Sequence, residues 1–231
     1  MKRAFPILGV VTAALLSYAL YEALVVAPTE ATMGDVQRIF YYHVPSAWTA
    51  FLLFLINFVA SVVYLIRRNT KADIVALVTA EVGVVFCTVV LITGPIWARP
   101  VWGIWWTWDL RLTLTLVLWL IYVSYLVLRR FSSSGQTPLL AAVLAVFGAL
   151  DVPLVYFSIW YFRTQHPSPV IGGGGSLDPR MGRVLLINWA AFLCFAFMVC
   201  WSRYRLEHLH REVEEMQALE SMLEAKSGSA S

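Results

Sequence analysis

The sequence predicts an all-α, polytopic membrane protein with six transmembrane helices and with both termini in the cytoplasm. Three observations lead to this prediction. Of the 231 residues, 60% are hydrophobic and 13% are charged, and the mean hydropathy of +0.72 lies outside the usual range of a soluble domain. Six apolar stretches each approach the ~20 residues that a membrane-crossing helix needs. Lys and Arg also gather on one side of the resulting topology.

The six predicted spans follow one another along most of the chain. The first begins after Lys2 and Arg3 and has no clear cleavage site, so we expect no cleavable signal peptide. The fourth is the shortest. Residues 1–202 form the predicted transmembrane domain, and residues 203–231 form a cytoplasmic amphipathic tail. The spans cover residues of about 5–27, 47–66, 74–94, 112–128, 139–161 and 184–202.

The distribution of basic residues sets the predicted orientation. With the N-terminus inside, 11 of the 17 Lys and Arg residues fall in inner segments and 6 in outer segments. An excess of basic residues is typical of the cytoplasmic side. Three loops should therefore face outwards, at about 28–46, 95–111 and 162–183. This topology explains the net charge of +3, and the charge pattern favours contact with membrane lipid and not with nucleic acid.

The most unusual segment is WARPVWGIWWTWDLR at 97–111, between the third and fourth spans. Indole rings concentrate where one edge is apolar and the other is wet, so this segment should lie at the membrane surface. It offers flat faces for stacking. Its pattern is typical of a platform for a flat aromatic ligand with an acidic rim. The five tryptophans are Trp97, Trp102, Trp105, Trp106 and Trp108.

Two of the four histidines, His43 and His166, fall in predicted outer loops beside a span end. Each has a proline close behind it, at Pro45 and Pro167, which disfavours helix just before the ring. Each histidine alone could be an interfacial hydrogen-bonding residue. Together, on the face that carries the tryptophans, the pair favours axial ligation of haem iron. The other two histidines belong to the predicted inner tail.

The cysteines carry no comparable signal. Cys87, Cys194 and Cys200 lie within predicted spans, where we expect small buried hydrophobic residues. The sequence has neither a CxxC nor a CxxCH motif, so it lacks the pattern for covalent haem attachment of the c-type cytochromes.

The run WGIWWTWDLRLT at 102–113 resembles the tryptophan-rich WWD signature of haem-handling membrane proteins. With TGPIWARPVWG, FYYHVPSAW and RTQHPSPV, it is similar to the haem exporter protein C family, also called cytochrome c maturation protein C. The resemblance covers most of the chain. It implies that His43 and His166 are axial ligands of a b-type haem that is bound non-covalently and transiently. It also implies a platform of Trp102, Trp105, Trp106, Trp108 and Asp109.

Haem propionates need cations or backbone N–H donors. Of the outer arginines Arg99, Arg111, Arg163, Arg180 and Arg183, we favour Arg111 and Arg163 as the propionate partners. Asp109 would repel propionates, so pairing with Arg111 or capping the fourth span is an alternative to a direct role. The run Gly172 to Gly175 is interpreted as a hinge or spacer. Tyr161 stands where some family members have tryptophan.

Two acidic residues, Glu81 and Asp151, fall inside predicted spans, where carboxylates are costly and are functional candidates by default. For Asp151, beside Pro153, we favour a polar contact that stabilises the bundle. The predicted tail places apolar residues on one helical stripe, which is typical of a helix that packs on a partner or on the membrane. The stripe comprises Leu206, Leu209, Val213, Met216 and Leu223.

The resemblance implies that this chain is not an enzyme. It would bind haem at the outer face of the bacterial cytoplasmic membrane and deliver it to a periplasmic haem chaperone. Its implied partners are the subunits of an ATP-binding-cassette transporter, a small single-span subunit and the chaperone. One alternative is a haem lyase, but the absence of histidine from the predicted spans disfavours it. The other is a ligand-free permease subunit, which would leave the histidines unexplained.

Overall fold

The computed structural model describes residues 4–132, 134–162, 164, 166 and 177–228, and within them the chain is α-helical. A π-helix at Glu22–Val26 extends α1, and a 3-10 helix at Asp35–Ile39 leads into α2. The helices are α1 (Ala4–Tyr21), α2 (Phe40–Arg67), α3 (Thr70–Trp102), α4 (Leu110–Phe131), α5 (Thr137–Ala149), α6 (Asp151–Tyr161) and α7 (Pro179–Gly228).

Six helical segments are long and apolar enough to cross a membrane, which confirms the predicted all-α fold with six spans, and the orientation of the termini stays a prediction. The first combines α1 with the π-helix, and the fifth combines α5 with α6. The tryptophan-rich end of the bundle carries the 103–109 connection, and the opposite end carries the turn between α2 and α3. That turn is tight: Arg68 adopts a left-handed conformation, and the Asn69 side chain accepts hydrogen bonds from two backbone N–H groups of α3.

The prediction of a loop at 28–46 is wrong in its second half, because α2 already begins at Phe40. His43 therefore lies in the first turn of a helix. Pro45 within α2 leaves the Tyr41 carbonyl without its helical N–H partner. The burial of Phe40 and Tyr41 in an apolar cluster offsets this loss, so packing overrides the local preference of the proline.

The predicted loop at 95–111 is also shorter than expected. Helix α3 continues through Pro95 and Pro100 and ends where Gly103 adopts a φ of 78°. A glycine suits this left-handed position, and its N–H donates to the Arg99 carbonyl at 3.0 Å. Trp102 thus lies on a helix, and the connection to α4 is reduced to residues 103–109.

The fifth span is interrupted at Leu150, between α5 and α6. Asp151 begins α6, and Pro153 lies in its first turn, where the missing N–H has no helical partner to lose. The Asp151 side chain is buried, and its Oδ2 atom has no hydrogen-bond partner among the described residues. The polar contact expected for this carboxylate is therefore not made by that oxygen.

The core lies at the centre of the bundle, where α2 and α3 pack against α4 and α5. The rings of Phe54 and Tyr122 stack at 3.8 Å between centroids with an angle of 12°. A Cβ atom on Gly83 would lie 2.7 Å from the Phe54 ring, and one on Gly148 would lie 2.8 Å from Ile121. Small residues therefore allow the helices to approach closely, as is common in membrane bundles.

Ion pairs hold α7 to the bundle near the opposite end. Arg203 pairs with Glu81 at 2.8 Å, and Arg211 pairs with Asp73 at 2.9 Å. Asp73 also accepts two hydrogen bonds from Arg129, at 2.6 and 2.7 Å. The helix runs without a break across the predicted boundary at 202/203, so the tail is a continuation of the sixth span. Glu81, the acidic residue expected within the third span, is thereby neutralised.

Candidate functional site: a cavity at the tryptophan-rich end

A cavity of about 920 Å³, counting the space at its mouth, opens at the tryptophan-rich end between α2, α3 and α4. Most of the wall is apolar. Its deeper part reaches Ala50, Cys87 and Val155. Its upper part is formed by aromatic and basic side chains, namely His43, Trp97, Trp102, Trp106, Arg111 and His166.

His43 enters the cavity from the first turn of α2 and is only 7% exposed. Its Nδ1 atom lies 2.8 Å from the Thr93 hydroxyl oxygen on α3. The edge of Trp97 packs against the imidazole, with ring centroids 5.9 Å apart. A Cβ atom on Gly94 would lie 3.4 Å from Cε1 of the same ring. Residues of α3 therefore pack around the His43 imidazole, which belongs to α2.

His166 enters the same cavity from the segment that follows α6. Its backbone N–H donates to the Thr164 hydroxyl oxygen at 3.0 Å. Thr164 in turn donates to Oδ2 of Asp109 at 2.9 Å. The fold thus brings two histidines, separated by 123 positions in the sequence, to one cavity.

The tryptophans of the predicted platform divide into two groups. Trp102 and Trp106 line the cavity, together with Trp97. Trp105 and Trp108 are 59% and 75% exposed and lie outside the described wall. Trp108 packs edge-on against Trp106, with centroids 5.7 Å apart. The structure therefore provides an inner group that faces the cavity and an outer group that faces the surroundings.

Asp109 caps α4, which confirms the capping alternative. Its Oδ1 atom accepts the Leu112 backbone N–H at 3.0 Å. Its Oδ2 atom accepts the hydroxyl groups of Thr107 and Thr164, at 3.0 and 2.9 Å. The carboxylate is thus held by three donors from two separate segments.

Several buried donors in the cavity wall lack hydrogen-bond partners among the described residues. They are Nη1 of Arg111, Nε1 of Trp97 and Nε1 of Trp106. A buried unpaired donor costs free energy, about 1–3 kcal/mol for each neutral group. Three such donors around one cavity are suited to a ligand that carries acceptors, and a carboxylate is the natural partner of a guanidinium.

The other arginines described at this end are engaged elsewhere. Arg99 donates to the Gly103 carbonyl, and Arg183 pairs with the buried Glu22 carboxylate at 3.1 Å. Arg180 pairs with Asp178 at 2.9 Å, and this hydrogen bond holds the pKa of Asp178 below its usual value. Arg163, the second predicted propionate partner, lies outside the described residues, as do Pro167 and the glycine run 172–175.

Residues 1–219 match the family described as heme exporter protein C. The chain belongs to this family. It is 34% identical over 222 residues to the heme exporter protein C of Bradyrhizobium diazoefficiens, which covers 95% of this chain and 84% of the relative. It is 30% identical over 203 residues to heme exporter protein C of Escherichia coli K12, with coverages of 87% and 82%. A putative cytochrome c biosynthesis ccmC-like mitochondrial protein of Marchantia polymorpha is 31% identical over 179 residues, with coverages of 77% and 76%.

Membership of the haem exporter protein C family confirms the predicted resemblance. The chain is a multi-pass protein of the inner membrane with a role in haem handling for cytochrome c biogenesis. The cavity is the part of the described structure where an aromatic surface, histidines and a guanidinium with one unpaired nitrogen meet.

Sequence reasoning missed the contribution of α3 to the cavity. The predicted topology places Thr93 and Gly94 at the end of an apolar span and Trp97 in a loop. The signal was present in the spacing, because Val90, Gly94, Trp97 and Val101 recur at intervals of four, three and four residues. These intervals place them on one helical face, which lines the cavity.

Proposed function

We propose that this chain binds haem non-covalently and transiently between His43 and His166, at the outer face of the bacterial cytoplasmic membrane, and delivers it to a periplasmic haem chaperone. The observation that carries the proposal is the meeting of these two histidines in one cavity. Two imidazoles that approach from separate segments, one from α2 and one from the segment after α6, suit the two axial positions of haem iron. Haem is here the cargo, and the chain forms no covalent bond to it.

The remaining wall suits the other parts of a haem. The apolar lower wall suits the hydrocarbon edge of the macrocycle, and the faces of Trp102 and Trp106 suit its π-system. The unpaired guanidinium nitrogen of Arg111 and the indole N–H groups of Trp97 and Trp106 suit propionate oxygens. Bound haem would supply the iron and the carboxylates that these residues lack.

Delivery requires a surface that a second protein can reach. Trp105 and Trp108 adjoin Trp106 and expose their rings, which supports contact with the chaperone on this side. The relatives are named heme exporter protein C, and the proposed assembly joins this chain to the subunits of an ATP-binding-cassette transporter and to a small single-span subunit. ATP hydrolysis belongs to the transporter, since this sequence contains no Walker motif.

The visible spectrum of the purified protein tests haem binding. We expect a Soret band from protein made in haem-replete cells, and a reduced band in His43→Ala and in His166→Ala. His208→Ala is the matched control, because His208 lies on α7 beyond the opposite end, outside the cavity wall. Added imidazole should restore part of the band in either ligand variant. An unchanged spectrum in both cavity variants would contradict the proposal.

A further inference from the structure

The contact between His43 and Thr93 has a defined direction, because the Thr93 hydroxyl carries a single proton. Its oxygen lies 2.7 Å from the Val89 carbonyl oxygen on the preceding turn of α3. Two oxygens approach to this distance only when a proton lies between them. The Thr93 hydroxyl therefore donates to Val89, and toward His43 it offers a lone pair.

The His43 ring must then donate from Nδ1 to Thr93, across 2.8 Å. A neutral imidazole carries one N–H, so the proton on Nδ1 leaves the lone pair on Nε2. Among the described contacts of the ring, Nδ1 is the nitrogen that forms a hydrogen bond. We propose that Thr93 is a positioning residue that fixes the tautomer of His43 and leaves Nε2 as the nitrogen for haem iron. This inference rests on the proposed function.

The surroundings of the ring support a positioning role. Thr93, Gly94 and Trp97 approach it from consecutive turns of α3, at Nδ1, at Cε1 and at the ring edge. Rotation of the imidazole would break the hydrogen bond and drive the ring toward Gly94 or Trp97. In metal sites, a partner on the second ring nitrogen fixes the tautomer and raises the basicity of the ligating one.

The test compares Thr93→Val with Thr93→Ser. Valine keeps the shape of threonine and removes the acceptor, whereas serine keeps the hydroxyl. The matched control is Thr88→Val, on the same helix but outside the cavity wall. Thr88 also donates to the carbonyl four residues before it, at 2.8 Å, and accepts a ring N–H, from Trp119, at 2.8 Å. The same substitution there removes an equivalent pair of hydrogen bonds.

Each purified full-length variant would be titrated with haemin in detergent micelles, and the reduction potential of the bound iron would be measured. We expect Thr93→Val to bind haemin about 10- to 100-fold more weakly, the range typical for loss of a partner that orients a metal ligand. We also expect a higher reduction potential, because a less basic imidazole stabilises ferric iron less. Thr93→Ser should restore both values, and Thr88→Val should change neither.

Other outcomes separate this inference from the proposed function. Wild-type affinity and potential in Thr93→Val, alongside haem loss in His43→Ala, would overturn the positioning role and leave the haem site intact. Equal losses in Thr93→Val and Thr88→Val, or no recovery in Thr93→Ser, would assign the effect to packing and would also overturn it. Retained haem in both His43→Ala and His166→Ala would overturn both proposals. Where Thr93→Val fails to fold, Thr93→Ala replaces it in the same comparison.

Discussion

The Thr164 hydroxyl donates a hydrogen bond to Asp109, with 2.9 Å between the two oxygens, and joins the segment that carries His166 to the tryptophan-rich connection. The same carboxylate caps α4. Asp109 therefore links the start of α4 to Thr164. The Thr164 hydroxyl oxygen also accepts a hydrogen bond from the backbone N–H of His166. The acidic residue of the tryptophan-rich connection thus contacts the His166 segment through one threonine, Thr164.

Replacement of Asp109 should distinguish its role as the cap of α4 from its role in supporting the His166 segment. The comparison is with a variant that removes the cap of another helix. We expect Asp109→Ala to lose about 0.5–2 kcal/mol of stability, the usual effect of removing an N-cap, and to retain less haem because the His166 segment loses its support. Asn69→Ala removes the cap of α3 at the opposite end and serves as the control. Thermal unfolding and the Soret band measure the two effects. Equal haem retention in both variants would contradict the link.

The inner and outer tryptophans should differ in their effects on haem. Trp106→Leu removes a flat face from the cavity wall, and we expect binding to weaken about two- to tenfold, corresponding to the ~0.5–1.5 kcal/mol of an aromatic contact. Trp105→Leu removes an exposed ring of the same kind and should leave haemin affinity unchanged. Haemin titration of both variants checks this. A larger loss in Trp105→Leu would place the platform on the outer group.

Arg111 should recognise propionates. Arg111→Ala is expected to weaken haemin binding about 10- to 100-fold, because hydrogen bonds to charged groups contribute roughly 1.5–3 kcal/mol. Haem dimethyl ester lacks the carboxylate charges, so the same variant should bind the ester as the wild type does. Arg180→Ala is the control, since its exposed pair with Asp178 lies outside the cavity wall. An equal loss with ester and acid would contradict propionate recognition.

Reporter fusions test the predicted orientation. Fusions after Arg68, Arg130 and Arg205 should report the cytoplasm, and fusions near Thr32 and Gly174 should report the periplasm. Activity of paired cytoplasmic and periplasmic reporters at each site provides the measurement. A cytoplasmic signal at Gly174 would contradict the shared outer site of the two histidines.

The exposed stripe of α7 should mediate assembly without altering the haem site. Leu209 and Val213 are both more than half exposed, and Arg211 between them ties the helix to Asp73. We expect Leu209→Asp with Val213→Asp to reduce co-purification with the transporter while the haem spectrum stays intact. His210→Ala with Glu214→Ala changes the neighbouring charged face and is the control. Unchanged co-purification would remove the partner role, and loss of haem would couple this end to the cavity.

The six spans could be predicted from sequence because lipid requires long apolar helices. Their ends could not. At Pro45 and Pro95 the local preference of proline was overridden by the packing of neighbouring aromatic residues. The placement of His43 and His166 at one site could be predicted from the topology and from the family resemblance. The hydrogen bond between Thr93 and His43 could not be predicted from the sequence. A threonine in a membrane span usually forms a hydrogen bond only within its own helix, whereas the second partner of Thr93 lies on α2.

Helix α7 has 50 residues without a break, which corresponds to about 75 Å at 1.5 Å per residue. This is more than twice the ~30 Å thickness of the bilayer hydrocarbon. Near its start, Met181 packs in the apolar cluster that includes Trp97, and farther along Arg211 is tied to Asp73. More than half of its residues therefore stand outside the hydrocarbon layer, as a rigid arm that sets how far the polar end of the chain extends from the membrane.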